Sequence, residues 1–389
     1  MKMKIISALI FCSLWASPVW AQSDLTPSIH LHAWGPEVDL AWRPVTLISG
    51  TQTTFWLGGE ALYQSWLYFH DPVTGQALSA ADPAQASVKD LAGLWFVGMA
   101  QGLVGQLDPL GPGGRPWQTP NLLEVFAYYR GTVYHTLSAG SYLANSSAPD
   151  KNGWLETAFL GGVDLNFLTK TDRHNLKQGF LLEGAAETAP RGIQSVSVDY
   201  NRTTATLLGF LPIWDLDPAS RNNTVSVLGG FAVAWDHLWG STIPVEALQL
   251  IGGRALGGIG SWTQGVGGQV RGPEQGRFDG TDKIVANVEL RVNLPGFETP
   301  FLAQDYLGLK VHSLFEGQVI PGLVFFYDYG SWSGLSGINP GYITTAGAGV
   351  FFKFWDLGSI AAYADDWLSG GNPYQSTPLL YTLSLGMQF

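Results

Sequence analysis

The chain has 389 residues, with 20 Lys and Arg against 31 Asp and Glu and a formal net charge of −11. Charged residues make up 13% of it, against about 25% in soluble domains, while its 49 Gly are nearly twice the usual share of about 7%. The acidic balance excludes nucleic acid as a partner, and so low a charge content argues against an ordinary soluble domain.

Met1-Lys2-Met3-Lys4 is a basic start, Ile5 to Trp15 is an apolar run too short to span a bilayer, and Val19-Trp20-Ala21 ends in residues that suit cleavage. Residues 1–21 are read as a signal peptide and residues 22–389 as one barrel domain. Losing Lys2 and Lys4 leaves 18 basic against 31 acidic residues, a net charge of −13. Cys12, the one cysteine, leaves with the leader, so no thiol or disulfide chemistry is expected afterwards. No later segment reaches the run of about 18 apolar residues that a membrane helix needs. A chain this apolar without such a helix satisfies its backbone in lipid by closing a sheet on itself. Fourteen Trp remain once Trp15 and Trp20 are removed, enough for the aromatic girdles of such a barrel.

Strands are predicted along the whole length, near 38–46, 53–63, 93–105 and 122–136. In the next, Leu155, Thr157, Phe159, Gly161, Val163, Leu165 and Phe167 alternate with Glu156, Ala158, Leu160, Gly162, Asp164 and Asn166, and the second set is expected to face a lumen. Further strands are placed at 177–189, 194–211 and 224–237. From Ile284 to Leu294 apolar residues alternate with Asn287, Glu289, Arg291 and Asn293, and Pro295-Gly296 closes the run with a turn. Candidates at 303–315, 320–332 and 342–355 follow, while 107–120 and 215–223 read as loops. The last strand exposes Tyr381, Leu383, Leu385, Met387 and Phe389 on one face, and a terminal aromatic of this kind is the expected handle for insertion into lipid. The fold class is therefore all-β, a transmembrane antiparallel β-barrel of 16 strands, its last strand beside its first.

Most isolated constellations carry no chemistry. His30 and His32 lack a third ligand, Asp215 and Asp217 lack the rest of a calcium loop, and Gly330-Ser331-Trp332-Ser333-Gly334 has Trp where a hydrolase elbow has its nucleophile. The glycosylation triplets at Asn145, Asn201 and Asn222 have no force in a bacterial outer membrane. No enzyme, metal or cofactor is predicted.

One ordered set of motifs stands apart. Gly267-Gly268-Gln269-Val270-Arg271-Gly272 precedes the strand Asn287-Val288-Glu289-Leu290-Arg291, which precedes Phe326-Tyr327-Asp328-Tyr329-Gly330. This order resembles the outer-membrane assembly-factor and bacterial surface-antigen superfamily, over roughly residues 240–389. The resemblance implies a barrel that inserts or exports polypeptides, with a Val-Arg-Gly loop folded inward and its Arg meeting the Asp of a Phe-x-Asp-x-Gly strand. The matching residues are Arg271, Glu289 and Asp328, with Gly267, Gly268 and Gly272 in the loop and Phe326 and Gly330 on the strand. Alternation places Glu289 and Asp328 on one wet face, and a planar guanidinium can bridge two carboxylates where Lys cannot. Pro273 stands where the superfamily carries an aromatic, and the chain is read as the barrel domain alone, without periplasmic receptor domains. The expected partners are outer-membrane lipid, a client polypeptide and a separate periplasmic chain. The other reading is a passive pore narrowed by the loop.

Overall fold

A computed structural model describes residues 25–32, 35–42, 47–67, 87–105, 121–170, 177–217, 224–244, 247–248, 270–271, 280–298, 318–334, 340–354, 358–369 and 379–385. The leader at 1–21, the strand expected at 303–315, and Gly267, Gly268, Gly272, Pro273, Met387 and Phe389 lie outside the described residues.

The chain builds one antiparallel meander in which each strand pairs with the next. Its path runs through β1 (Leu25–His32), β2 (Gly35–Trp42), β3 (Thr53–Leu67), β4 (Ser87–Gly105), β5 (Asn121–Ala139) and β6 (Leu155–Asn166). It skips the dipeptide strand β7 (Thr169–Lys170) and continues through β8 (Lys177–Ala189), β9 (Asp199–Asp215), β10 (Ser226–Thr242) and β11 (Asp282–Asn293). After the second dipeptide, β12 (Phe297–Glu298), come β13 (Gln318–Ser333), β14 (Gly341–Phe354), β15 (Gly358–Ser369) and β16 (Leu379–Leu385). The sequence predicts sixteen spanning strands. The described path holds fourteen, with the two dipeptides paired beside it. Among the described residues β1 pairs with β2 and β16 with β15, and no pairing joins β1 to β16.

Burial along the strands is inverted relative to a soluble protein. On β11 the buried positions are Lys283, Val285, Asn287, Glu289, Arg291 and Asn293, while Ile284, Val288 and Leu290 are exposed, Val288 by 57%. On β13 Val324, Phe326 and Asp328 are buried and Leu323, Phe325 and Tyr327 are exposed. On β6 Glu156, Ala158, Leu160, Asp164 and Asn166 are buried and Phe159 and Val163 are exposed. Burying charge while exposing Val and Phe raises the free energy in water and lowers it in hydrocarbon. Side chains of the charged face meet one another across several strands: Arg130 on β5 donates to the Tyr200 hydroxyl on β9, three steps along the sheet, at 3.1 Å.

The glycine content has a packing reason. Tyr128 sits directly across from Gly98, Phe126 from Gly162, Phe231 from Gly209, Phe351 from Gly322 and Phe326 from Gly347. In each pair a Cβ built on the glycine would come within 2.7 Å of the facing ring. The rings lie over the strand partner's bare backbone, the arrangement by which aromatics compensate for glycine in a sheet. Two kinds of residue that are individually abundant here are thus abundant together.

Candidate functional site

The connection from β10 to β11 spans the 39 residues 243–281, and its described points are 243–244, 247–248, 270–271 and 280–281. Val270 and Arg271 lie against the interior wall. Val270 is 3% exposed and packs with Ala234 on β10, Val285 on β11 and Ile343 on β14, with Trp332 alongside. That apolar seat places the next residue over the charged part of the wall.

Arg271 is 1% exposed, and the wall meets nearly every donor it has. Its Nε donates to Asp328 Oδ2 at 2.8 Å and its Nη2 to Asp328 Oδ1 at 2.8 Å, a two-pronged grip on one carboxylate. Its backbone N–H also donates to Asp328 Oδ2, at 2.9 Å. Nη1 donates to Glu289 Oε2 at 2.7 Å. The Thr345 hydroxyl donates to the Arg271 carbonyl at 2.9 Å, which fixes the backbone on both sides of the residue. Below the guanidinium lies the Phe326 ring, 3.8 Å from Cζ to centroid, with the Tyr363 ring at 5.6 Å. A desolvated contact of the first kind contributes about 2 kcal/mol.

The local sequence explains why these groups converge. Asn287 faces Asp328 in the β11–β13 register and Glu289 faces Phe326, so the two carboxylates stand one rung apart on adjacent strands with the ring beside them. Arg291, two residues on from Glu289 and so on the same face, donates its Nε to the other Glu289 oxygen. Two cations and two carboxylates then balance, and burial without net charge avoids the heaviest desolvation penalty. Gly330 continues β13 two residues beyond Asp328, on the same face. Tyr381, Leu383 and Leu385 lie on β16 opposite Ala364, Ala362 and Ile360 of β15.

A second buried network was not foreseen from the sequence. Arg130 donates to Glu156 at 3.4 Å and to Glu187, and Tyr200 donates to Glu156. Arg202 pairs with Glu187 at 3.4 Å and with Asp236 at 3.3 Å, and Lys283 pairs with Asp236 at 3.2 Å. Here three cations meet three carboxylates. Six strands each lend one or two of these groups, so no local motif announces them. Alternation alone could have marked Glu156, which it did place inward. Above this layer Trp154, Val198, Tyr200, Leu238 and Ala247 form an apolar cluster contributed by three different connections and their strands.

No family model matches the chain, and no curated protein matches it. Among solved structures it is similar to BamA from Haemophilus ducreyi lacking POTRA domains 1-3, with a TM-score of 0.46 and 12% sequence identity. The match covers 93% of this chain and 64% of that one, so the chain spans less than two thirds of the protein it resembles.

Proposed function

We propose that this chain is an outer-membrane β-barrel of the assembly or translocation type, which inserts or exports polypeptides with the tip of its β10–β11 connection held inside the lumen. The observation that carries this reading is the burial of Arg271 between Asp328 and Glu289. A loop merely draped across a mouth would leave its cation in water. Here the cation is fully desolvated and its partners come from two separate strands, so the loop position is specified by chemistry. The sheet closes through β1 and β16 in this reading, and the apolar outer face, with Val288, Phe325 and Phe159 among its members, meets lipid. Partners are a client chain and a separate periplasmic chain. The action is non-enzymatic, requiring strand pairing and no nucleophile.

A passive pore is less well supported, because inward charges such as Asp90, Glu124, Arg202, Arg291 and Asp365 are at most 3% exposed. A water-filled channel would wet them. The deciding experiment co-reconstitutes the purified barrel in liposomes with an unfolded outer-membrane client, with and without a periplasmic partner fraction. Faster client folding with the wild-type barrel, read by gel mobility, and slower folding with Asp328→Asn are expected. Equal folding rates with and without the barrel would leave the assembly reading without support.

A further inference from the structure

The β10–β11 connection is gripped twice. Its tip is held at Arg271; its neck is held elsewhere, by residues that no motif pointed to. Arg202 Nη2 donates to the Ala247 carbonyl at 2.6 Å, and Lys283 Nζ donates to the Leu248 carbonyl at 3.0 Å. The same Leu248 carbonyl accepts the Gly280 N–H at 3.2 Å, which ties the outgoing limb to the returning one. Asp236, 0% exposed, lies between the two cations, 3.3 Å from Arg202 Nε and 3.2 Å from Lys283 Nζ. Ala247 is itself buried in the apolar cluster around Trp154 and Leu238.

The two grips are well separated. Lys283 and Asn287, the residue that faces Asp328, are four residues apart on β11, about 13 Å along the strand, and Glu289 lies two residues further on. They share no side chain: the neck uses Arg202, Asp236 and Lys283, the tip Asp328, Glu289 and Arg291. The neck cations are balanced through Asp236 together with Glu187, Glu156 and Arg130, and the tip carboxylates through Arg271 and Arg291, so neither set draws on a charge of the other.

We infer that Arg202, Asp236 and Lys283 form an independent anchor that keeps the neck of the connection in the mouth whether or not the tip is clasped. The three are positioning residues, and the inference rests on the proposed reading that this connection works from inside the lumen. A single grip would make the connection all-or-none, in or out. With two grips the tip can leave Asp328 while the limb stays over the lumen, an intermediate that a barrel handling a client can use without opening fully.

Hydrogen–deuterium exchange of the full chain in lipid nanodiscs tests this, because four amides report on the two places separately. Ala247, Leu248 and Gly280 donate at the neck and Arg271 donates at the tip. Asp236→Asn should speed exchange at the three neck amides by about tenfold, the loss of one charged hydrogen bond, and leave Arg271 at its wild-type rate. Arg271→Lys should do the reverse. Should Asp236→Asn fail to fold, Lys283→Gln withdraws the ammonium from both the Leu248 carbonyl and Asp236, leaves Arg202 paired with Asp236, and is expected to act on the same three amides. Unchanged neck exchange in the folded variant, or neck exchange that rises as much in Arg271→Lys, overturns the second anchor. Neither result bears on the tip, which Asp328→Asn reads through the Arg271 amide alone; failure of the lumenal reading would show there as rapid exchange already in the wild type.

Discussion

At the scale of single residues, the clasp derives its strength from geometry that only arginine has. Arg271→Lys keeps the charge but offers one point of contact to Asp328 and nothing to Glu289 at the same time. The loss should be about 1.5–3 kcal/mol, the worth of hydrogen bonds to a charged group, seen as a lower urea midpoint in lipid. Asp328→Asn should cost a similar amount, because it leaves the guanidinium facing a neutral amide. Combined, the two should cost less than their sum, since the second change removes a partner already lost. Additive losses would mean that the residues do not act on each other. Arg271, Glu289 and Asp328 could be singled out from sequence because each sits in a short motif and alternation gives its face. Arg291 carried the same information and was quoted only as part of its strand; its spacing of two from Glu289 was the available signal. Thr345 and Arg202 had none, since a lone Thr or Arg on a strand does not reveal which distant loop carbonyl it will meet.

At the scale of strands, the alternation of apolar and polar residues was legible wherever the two faces contrast, as on β6, β11 and β13. It failed on β15, where Ala361, Ala362 and Ala364 occupy both faces and Asp365 and Asp366 are adjacent, so that neither face declares itself. It failed as well on β1, whose eight residues include two His and a Pro. The aromatic–glycine pairs were illegible for a different reason: they depend on register between strands, which a single sequence does not show. They are nevertheless testable. A methyl at Gly347 would lie 2.6 Å from Phe326 Cζ and 2.6 Å from the Ala364 carbonyl. Gly347→Ala should therefore displace the ring that supports Arg271, destabilising by about 1–3 kcal/mol as overpacking does, and the Arg271 amide should exchange faster with it. The outer face gives a second check. Val288→Arg places a charge in the middle of β11, and at a bilayer midplane this costs about 2–4 kcal/mol. Folding titrations into vesicles should show that loss. An unchanged folding free energy would mean that the face does not lie in lipid.

At the scale of the whole molecule, the interior is layered: an apolar cluster at one end, the Arg130–Glu187–Asp236 network beneath it, and the Arg271 clasp further along β11 and its neighbour β13. A second apolar cluster of Leu168, Leu181, Leu208, Phe210 and Leu228 lies toward the opposite end of β8 to β10. Among the described residues, that interior is occupied by its own side chains and by Val270 and Arg271, the latter held by two carboxylates. Its contents can be cleared only if that hold is broken. Single-barrel conductance in a planar bilayer measures this directly. The wild-type barrel should be quiet, with rare openings, and Asp328→Asn should open often, because the released tip no longer fills the lumen. A large, steady current through the wild type, indistinguishable from that of Asp328→Asn, would contradict the claim that the clasp holds the loop inside.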